Sequence, residues 1–217
     1  MDFTKENFIR VLEAIQYEIT DFHTPGNGII LRHDVDGNLP LTMKAARIEY
    51  EMGIRSTIFI INTQPYYKPK DPDFIRDMLT LQNDYGHEIG WHNNALEDHY
   101  YNGVPIFDAI EKPINELRGI GLFIRCTSSH GGRGCVEYRV ANYNIFGFPC
   151  KKYPDYFGPT FRMDRFGLEV EAMHDKRNGH LSDGGRVWNL PVLETLHRWE
   201  KTPGRYQILI HPQWWQL

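Results

Sequence analysis

Apolar residues along this chain fall into two alternating patterns, one at helical spacing and one in short β-branched runs. In residues 4–17, Phe8, Val11, Leu12 and Ile15 share one helix face, with Thr4 as the N-cap. Residues 28–36 read as a strand, 41–52 as a helix closed by Gly53, and 56–62 as a short apolar strand. A helix over 73–84 ending near Gly86 precedes a strand over 87–92 that runs into a loop. The spacing predicts a helix over 106–117, with Pro113 kinking it or marking its start, and a strand over 122–127. From 131 to 185 the periodicity fades into Gly, Pro, Tyr and Asp, which predicts long loops with short strands such as 168–173. Order returns with a helix over 192–199 and a strand over 206–211.

Strands that alternate with helices predict a parallel α/β sheet, open or closed into a barrel. Chemistry in such folds gathers at the C-terminal strand ends. The ends here deliver Asp34 and Asp36, then His92, then His130, then His211. Residues two apart on a strand point to one side, roughly 6–7 Å apart. One carboxylate can then hold a metal while the other takes a proton from water. Each residue alone has a plain structural explanation: Asp36 capping the next helix, Asp34 pairing with Arg32, and each His simply hydrogen-bonded. Together they weigh more. One Asp with two His suits a catalytic divalent ion, and a second Asp and a further His remain as base and acid. Gly131 and Gly132 after His130 leave backbone open to close ligand approach.

These residues resemble the polysaccharide deacetylase (NodB-homology, carbohydrate esterase family four) superfamily. The segment 31–37, Leu-Arg-His-Asp-Val-Asp-Gly, resembles its first motif in the branch where one residue separates the two carboxylates. Residues 46–59 resemble the helix-to-strand signature, 86–92 the segment with the first metal His, and 208–212 the final motif. The resemblance implies a distorted, incomplete (β/α) barrel of about seven parallel strands, built as one domain over residues 1–217. It implies Asp34 as catalytic base, His211 as the acid that protonates the leaving group, and a divalent ion, zinc foremost. Asp36 and His92 are its ligands. The family's second ligand His lies four residues after the first, where this chain has Leu96. His130 is the replacement, with His99 and His180 as outside candidates. The family also places an Arg beside the base; Arg32, Arg125 and Arg133 are the candidates.

Composition narrows the partners. Among 217 residues, 24 Lys and Arg against 28 Asp and Glu give a net charge of −4, which argues against a nucleic-acid binder. No run is apolar enough to span a bilayer. The first residues lack a basic and an apolar region, so the expected location is cytoplasmic. Cys126, Cys135 and Cys150 include no C-x-x-C pair and read as buried thiols. Tyr100, Tyr101 and the stretch 153–161 offer stacking surface for a sugar, and exposed loop aromatics permit an oligomer. Asp183, in a Gly-rich turn, either orients a ligand or metal-bound His or simply shapes the turn.

The leading expectation is metal-dependent removal of an N-acyl group, acetyl or formyl, from an amino sugar of a polysaccharide precursor. Two rivals stand beside it: a degenerate relative that binds saccharide without turnover, and an allantoinase-like hydrolase of a non-sugar amide.

Overall fold

The computed structural model describes residues 1–153 and 156–217. In chain order the main elements are α1 (Lys5–Glu13), β1 (Ile19–Thr20), β2 (Gly28–Val35), α2 (Leu39–Glu51), β3 (Thr57–Ile61) and α3 (Pro72–Leu79). They continue with β4 (Glu88–Asn93), α4 (Ala95–Asn102), α5 (Ile106–Gly119), β5 (Cys126–Ser129), α6 (Arg133–Glu137) and β6 (Val170–Glu171). Last come β7 (Gly179–Ser182), α7 (Val192–Glu200) and β8 (Arg205–Ile210). Seven strands follow the order β6-β5-β4-β3-β2-β8-β7, and β1 pairs with β2 outside that path. The path has two ends, so this parallel α/β sheet is an incomplete barrel, as the sequence resemblance implies.

The chain divides into two compact units. The first comprises residues 1–58, 76–88 and 176–217. Its strands β1, β2, β8 and β7 pair in parallel, with Ile30 opposite Gln207 and His180 opposite the same Gln207. This register puts Ile30, Arg32 and Asp34 on the same face as Gln207, Leu209, His180 and Ser182. The other face carries Ile29, Leu31, Ile208, Ile210 and Leu181. They pack with Phe8, Val11 and Leu12 of α1, Ala45 of α2, and Leu196 and Trp199 of α7. Each large aliphatic so buried is worth about 1.5–3 kcal/mol. One face is therefore closed by helices, while the other keeps its polar groups for chemistry.

His33 falls on the helix-covered face, where an imidazole needs a partner. Its Nε2 meets Glu49 Oε1 of α2 at 2.7 Å. Glu49 Oε2 accepts the Ser56 hydroxyl at 2.7 Å, and the Ser56 amide donates to His87 Nδ1 at 3.1 Å. His87 then carries its proton on Nε2 and donates to the Ala46 carbonyl at 3.0 Å. All four side chains are buried.

The second unit comprises residues 59–75 and 89–175. Here β4 pairs with β5, His92 opposite Ser128, and β5 pairs with β6, Thr127 opposite Glu171. The Glu171 carboxylate bridges two segments: Oε1 accepts the Ser129 amide and Oε2 the Met173 amide, both at 2.8 Å. Helix α5 buries Ala109, Ile110, Ile114 and Leu117, and Pro113 lies inside it without ending it.

Several boundaries differ from the sequence reading. The predicted strand over 122–127 starts only at Cys126, and Phe123 stands 74% exposed. Helix α4 replaces the loop expected after His92, and β7 lies in the stretch where periodicity fades, since Leu181 is its only buried residue. Asp36 does not cap α2; Asn38 does, its Oδ1 accepting the Leu41 amide at 3.0 Å. Among the described residues no helix is long and apolar enough to cross a membrane.

Candidate active site

In the first unit, strands β2, β7 and β8 end together in a carboxylate–imidazole cluster. Asp34 lies on the open face of β2, and Arg32, two residues earlier on the same face, donates from Nη2 to Asp34 Oδ2 at 3.1 Å. Arg32 is fully buried, so the guanidinium is held by its surroundings and fixes the carboxylate in turn. Of the three arginine candidates this is the one that touches Asp34. Arg125 faces Glu169 at 3.5 Å, and the exposed Arg133 faces Glu137 at 3.7 Å.

His211 follows β8 directly and is clamped by Asp183, which follows β7. Asp183 is 0% exposed. Its Oδ1 lies 2.6 Å from His211 Nδ1, and the His211 amide points to both carboxylate oxygens at 3.0 Å. Trp215 Nε1 donates to Oδ2 at 3.0 Å. With Nδ1 held as a donor, Nε2 is the working nitrogen, and it lies 3.7 Å from Asp36 Oδ2. Burial disfavours charge on this imidazole, but Asp183, Asp34 and Asp36 outweigh it and raise its pKa above the ordinary value. Gln213, two residues on, donates from Nε2 to Asp36 Oδ2 at 3.3 Å. Asp183 thus orients His211, the candidate acid, rather than a metal-ligand His.

His180 shares the open face with Asp34. Burial, reinforced by the Arg177 and Arg32 cations, pushes it down to about 4, so it is neutral near pH 7.

In the second unit, His92 and His130 meet at the ends of β4 and β5. Their rings stand edge to face with centroids 5.2 Å apart. His92 Nδ1 donates to the Ser128 carbonyl at 2.7 Å, which places the lone pair on Nε2. The Asn94 amide donates from Nδ2 to Thr63 Oγ1 at 2.9 Å, and this turns Oδ1 toward His130 Nδ1 at 3.0 Å. His130 therefore also keeps its lone pair on Nε2. An imidazole whose Nδ1–H is held by an oxygen is the form that binds metal.

Leu96 is buried at the position where the resemblance predicts a ligand. Glu97 beside it supports His130 instead. Its Oε2 lies 3.6 Å from His130 Nδ1, and its Oε1 accepts the Gly134 amide at 2.5 Å. The hydrogen bond with His130 and the Gly134 amide hold the Glu97 carboxyl below the usual range against its partial burial. Asn142 completes the brace: Nδ2 donates to the His130 carbonyl at 2.9 Å while Oδ1 accepts the Leu96 amide at 2.9 Å. A Cβ at Gly131 would meet open space, whereas Gly132 is crowded by side chains. A Cβ there would fall against Glu97 Oε1 and within 2.6 Å of His130 Cε1, so the residue makes room for the brace.

His99 turns away along α4, its Nδ1 bonding the Val104 carbonyl at 2.7 Å. The aromatic stretch divides. Tyr100 stacks on Tyr138 at 4.1 Å, Tyr153 packs with Ala141 and Cys150, and Phe157 is 93% exposed. Residues 154 and 155 of that stretch lie outside the described residues. Sequence reasoning missed Asn94, Glu97, Asn142 and Gln213. Asn94, Glu97 and Gln213 at least follow His-bearing strand ends closely; Asn142 carries no such signal.

No family model matches the sequence, and no curated protein matches it either. Solved structures do. A CE4 esterase of Streptococcus mutans superposes with a TM-score of 0.53 at 13% identity, over 97% of this chain and 80% of that one. A family 4 carbohydrate esterase of Bacillus anthracis matches with a TM-score of 0.42, also at 13% identity, over 95% and 77%. The chain shares the fold of the streptococcal CE4 esterase.

Proposed function

We propose that this chain is a metal-dependent hydrolase that removes an N-acyl group, acetyl or formyl, from an amino sugar of a saccharide precursor. The observation that carries the reading is the Asp183–His211–Asp36 line beside the Arg32-held Asp34. It assembles an oriented acid and an oriented base at adjacent strand ends. The fold it shares with a carbohydrate esterase supports a saccharide substrate.

Asp36, His92 and His130 are the proposed metal ligands. One carboxylate and two imidazoles with Nε2 lone pairs are a donor set that fits a divalent transition ion such as zinc. A bound ion of that kind supplies Lewis-acid polarisation of an acyl carbonyl and of water. Asp34 takes the proton of the attacking water, and Arg32 keeps its carboxylate aimed. His211, held by Asp183 through Nδ1, delivers a proton from Nε2 to the departing amine. Its raised pKa favours the doubly protonated ring this step requires.

The buried Leu96 favours a second reading, a saccharide-binding relative without turnover. One experiment separates the two. Purified protein loaded with zinc is assayed for acetate or formate release from N-acylated amino sugars, beside Asp34→Asn. Release by the parent and its loss in the variant, with metal content unchanged, supports the hydrolase. Saccharide binding with no release from either protein favours the second reading.

A further inference from the structure

Arg186 stands where an arginine is costly to place. It follows Gly185 (φ 71°) and itself adopts φ 63°, a left-handed conformation that glycine or asparagine tolerates far better. The turn is firmly built. Asn189 Oδ1 accepts the Ser182 amide at 2.8 Å, its Nδ2 donates to the His180 carbonyl at 3.1 Å, and the Arg186 amide donates to the Asp183 carbonyl at 3.1 Å. The guanidinium lies over the Trp214 ring at 5.1 Å, and that ring lies 6.1 Å from the His211 ring. No carboxylate pairs with Arg186 among the described residues, although Asp34, Asp36 and Asp183 crowd the same strand ends.

An exposed guanidinium that lies over an indole and pairs with no carboxylate among the described residues keeps N–H donors for a planar or tetrahedral oxyanion. Three nearby carboxylates would repel an anionic substrate, and a cation at the rim offsets that repulsion. We propose that Arg186, seated on Trp214, is an anion subsite, and that the N-acylated sugar substrate carries a phosphate or carboxylate that docks there. The proposal rests on the hydrolase reading above and specifies its substrate class.

The test is calorimetric titration of the zinc-loaded Asp34→Asn protein, which binds without turnover. The probes are N-acetylglucosamine, N-acetylglucosamine 1-phosphate and N-acetylmuramic acid. One anionic probe should bind about tenfold tighter than the neutral sugar, as a charge-assisted bidentate contact provides. The preferred probe tells phosphate from carboxylate. Adding Arg186→Gly should erase that advantage and leave neutral-sugar affinity unchanged, while thermal stability holds or rises because the left-handed turn relaxes. Arg186→Lys should retain part of the advantage. The proposal is overturned if Arg186→Gly weakens all three probes alike, leaves an anionic preference intact, or lowers stability as a purely structural arginine would. If the parent hydrolyses the neutral sugar and no probe gains from its charge, this inference alone falls. If no probe binds and the parent releases no acid, the hydrolase reading falls with it.

Discussion

His130 is held by a set of residues that converge on it from the start of α4, the turn before α6 and the segment after α6. Asn94 fixes its tautomer, Glu97 braces its ring, Asn142 ties down its carbonyl, and Gly132 leaves the space all of this needs. Gly132→Ala adds one methyl group where Glu97 and the His130 ring already lie. Its φ of −75° suits alanine, so the backbone gains no strain and the change acts on His130. The expected result is a tenfold or greater loss of zinc affinity in a chelator competition, of the order seen when the outer partners of metal ligands are altered. Asp183 invites a different test. It accepts from the His211 amide, the His211 ring and Trp215 while fully buried. Asp183→Ala strands those donors and should cost about 3–5 kcal/mol in denaturant unfolding. The catalytic and ligand candidates were legible in the sequence because Asp34, Asp36, His92, His130 and His211 sit at strand ends. Their supports were not, because Asn94, Glu97 and Asn142 act through long-range contacts that spacing does not encode.

Among elements, α2 is fastened to the strands beside it by charge as well as by apolar packing. Glu49 lies buried between His33, Ser56 and His87. Burial alone would raise the Glu49 pKa, yet its His and Ser partners pull it below the ordinary carboxylate value. Burial pushes His87 below the ordinary imidazole value of 6.5. Both shifts act in one direction. The stability from neutral His87 is complete above pH 6.5 and is lost as pH falls through its lowered folded value. The stability from ionised Glu49 is complete above its ordinary value of 4.5 and is lost as pH falls through a value below that. The melting temperature should therefore be level through neutral pH and fall progressively on acidification. Glu49→Gln should start lower and show a shallower acid decline. Most elements were legible because α1, α2 and α7 carry one-sided apolar spacing, and β2 and β3 are apolar and bounded by turns. Strand β7 was not, since its pairing with β8 forms it rather than its own pattern.

For the whole molecule, the alternation of strand and helix was enough to predict a parallel α/β sheet, and the motif resemblance was needed to predict its incomplete closure. The likeness at 13% identity shows how little sequence that architecture requires. A metal that binds only the folded chain must raise its stability, by about 2.7 kcal/mol when free metal is a hundredfold above its dissociation constant. Zinc should thus raise the melting temperature of the parent protein and leave His92→Ala unmoved; differential scanning calorimetry checks both. The cysteines have a practical consequence. Cys126, Cys135 and Cys150 are all buried and outside any disulfide, and all lie in the unit that holds His92 and His130. Burial and Glu97 push the Cys135 thiol up to about 11, which suppresses its reactivity further. A thiol reagent therefore meets nothing to modify until that unit opens. The rate of labelling, read residue by residue, becomes a built-in clock for the breathing of the histidine-bearing part of the chain.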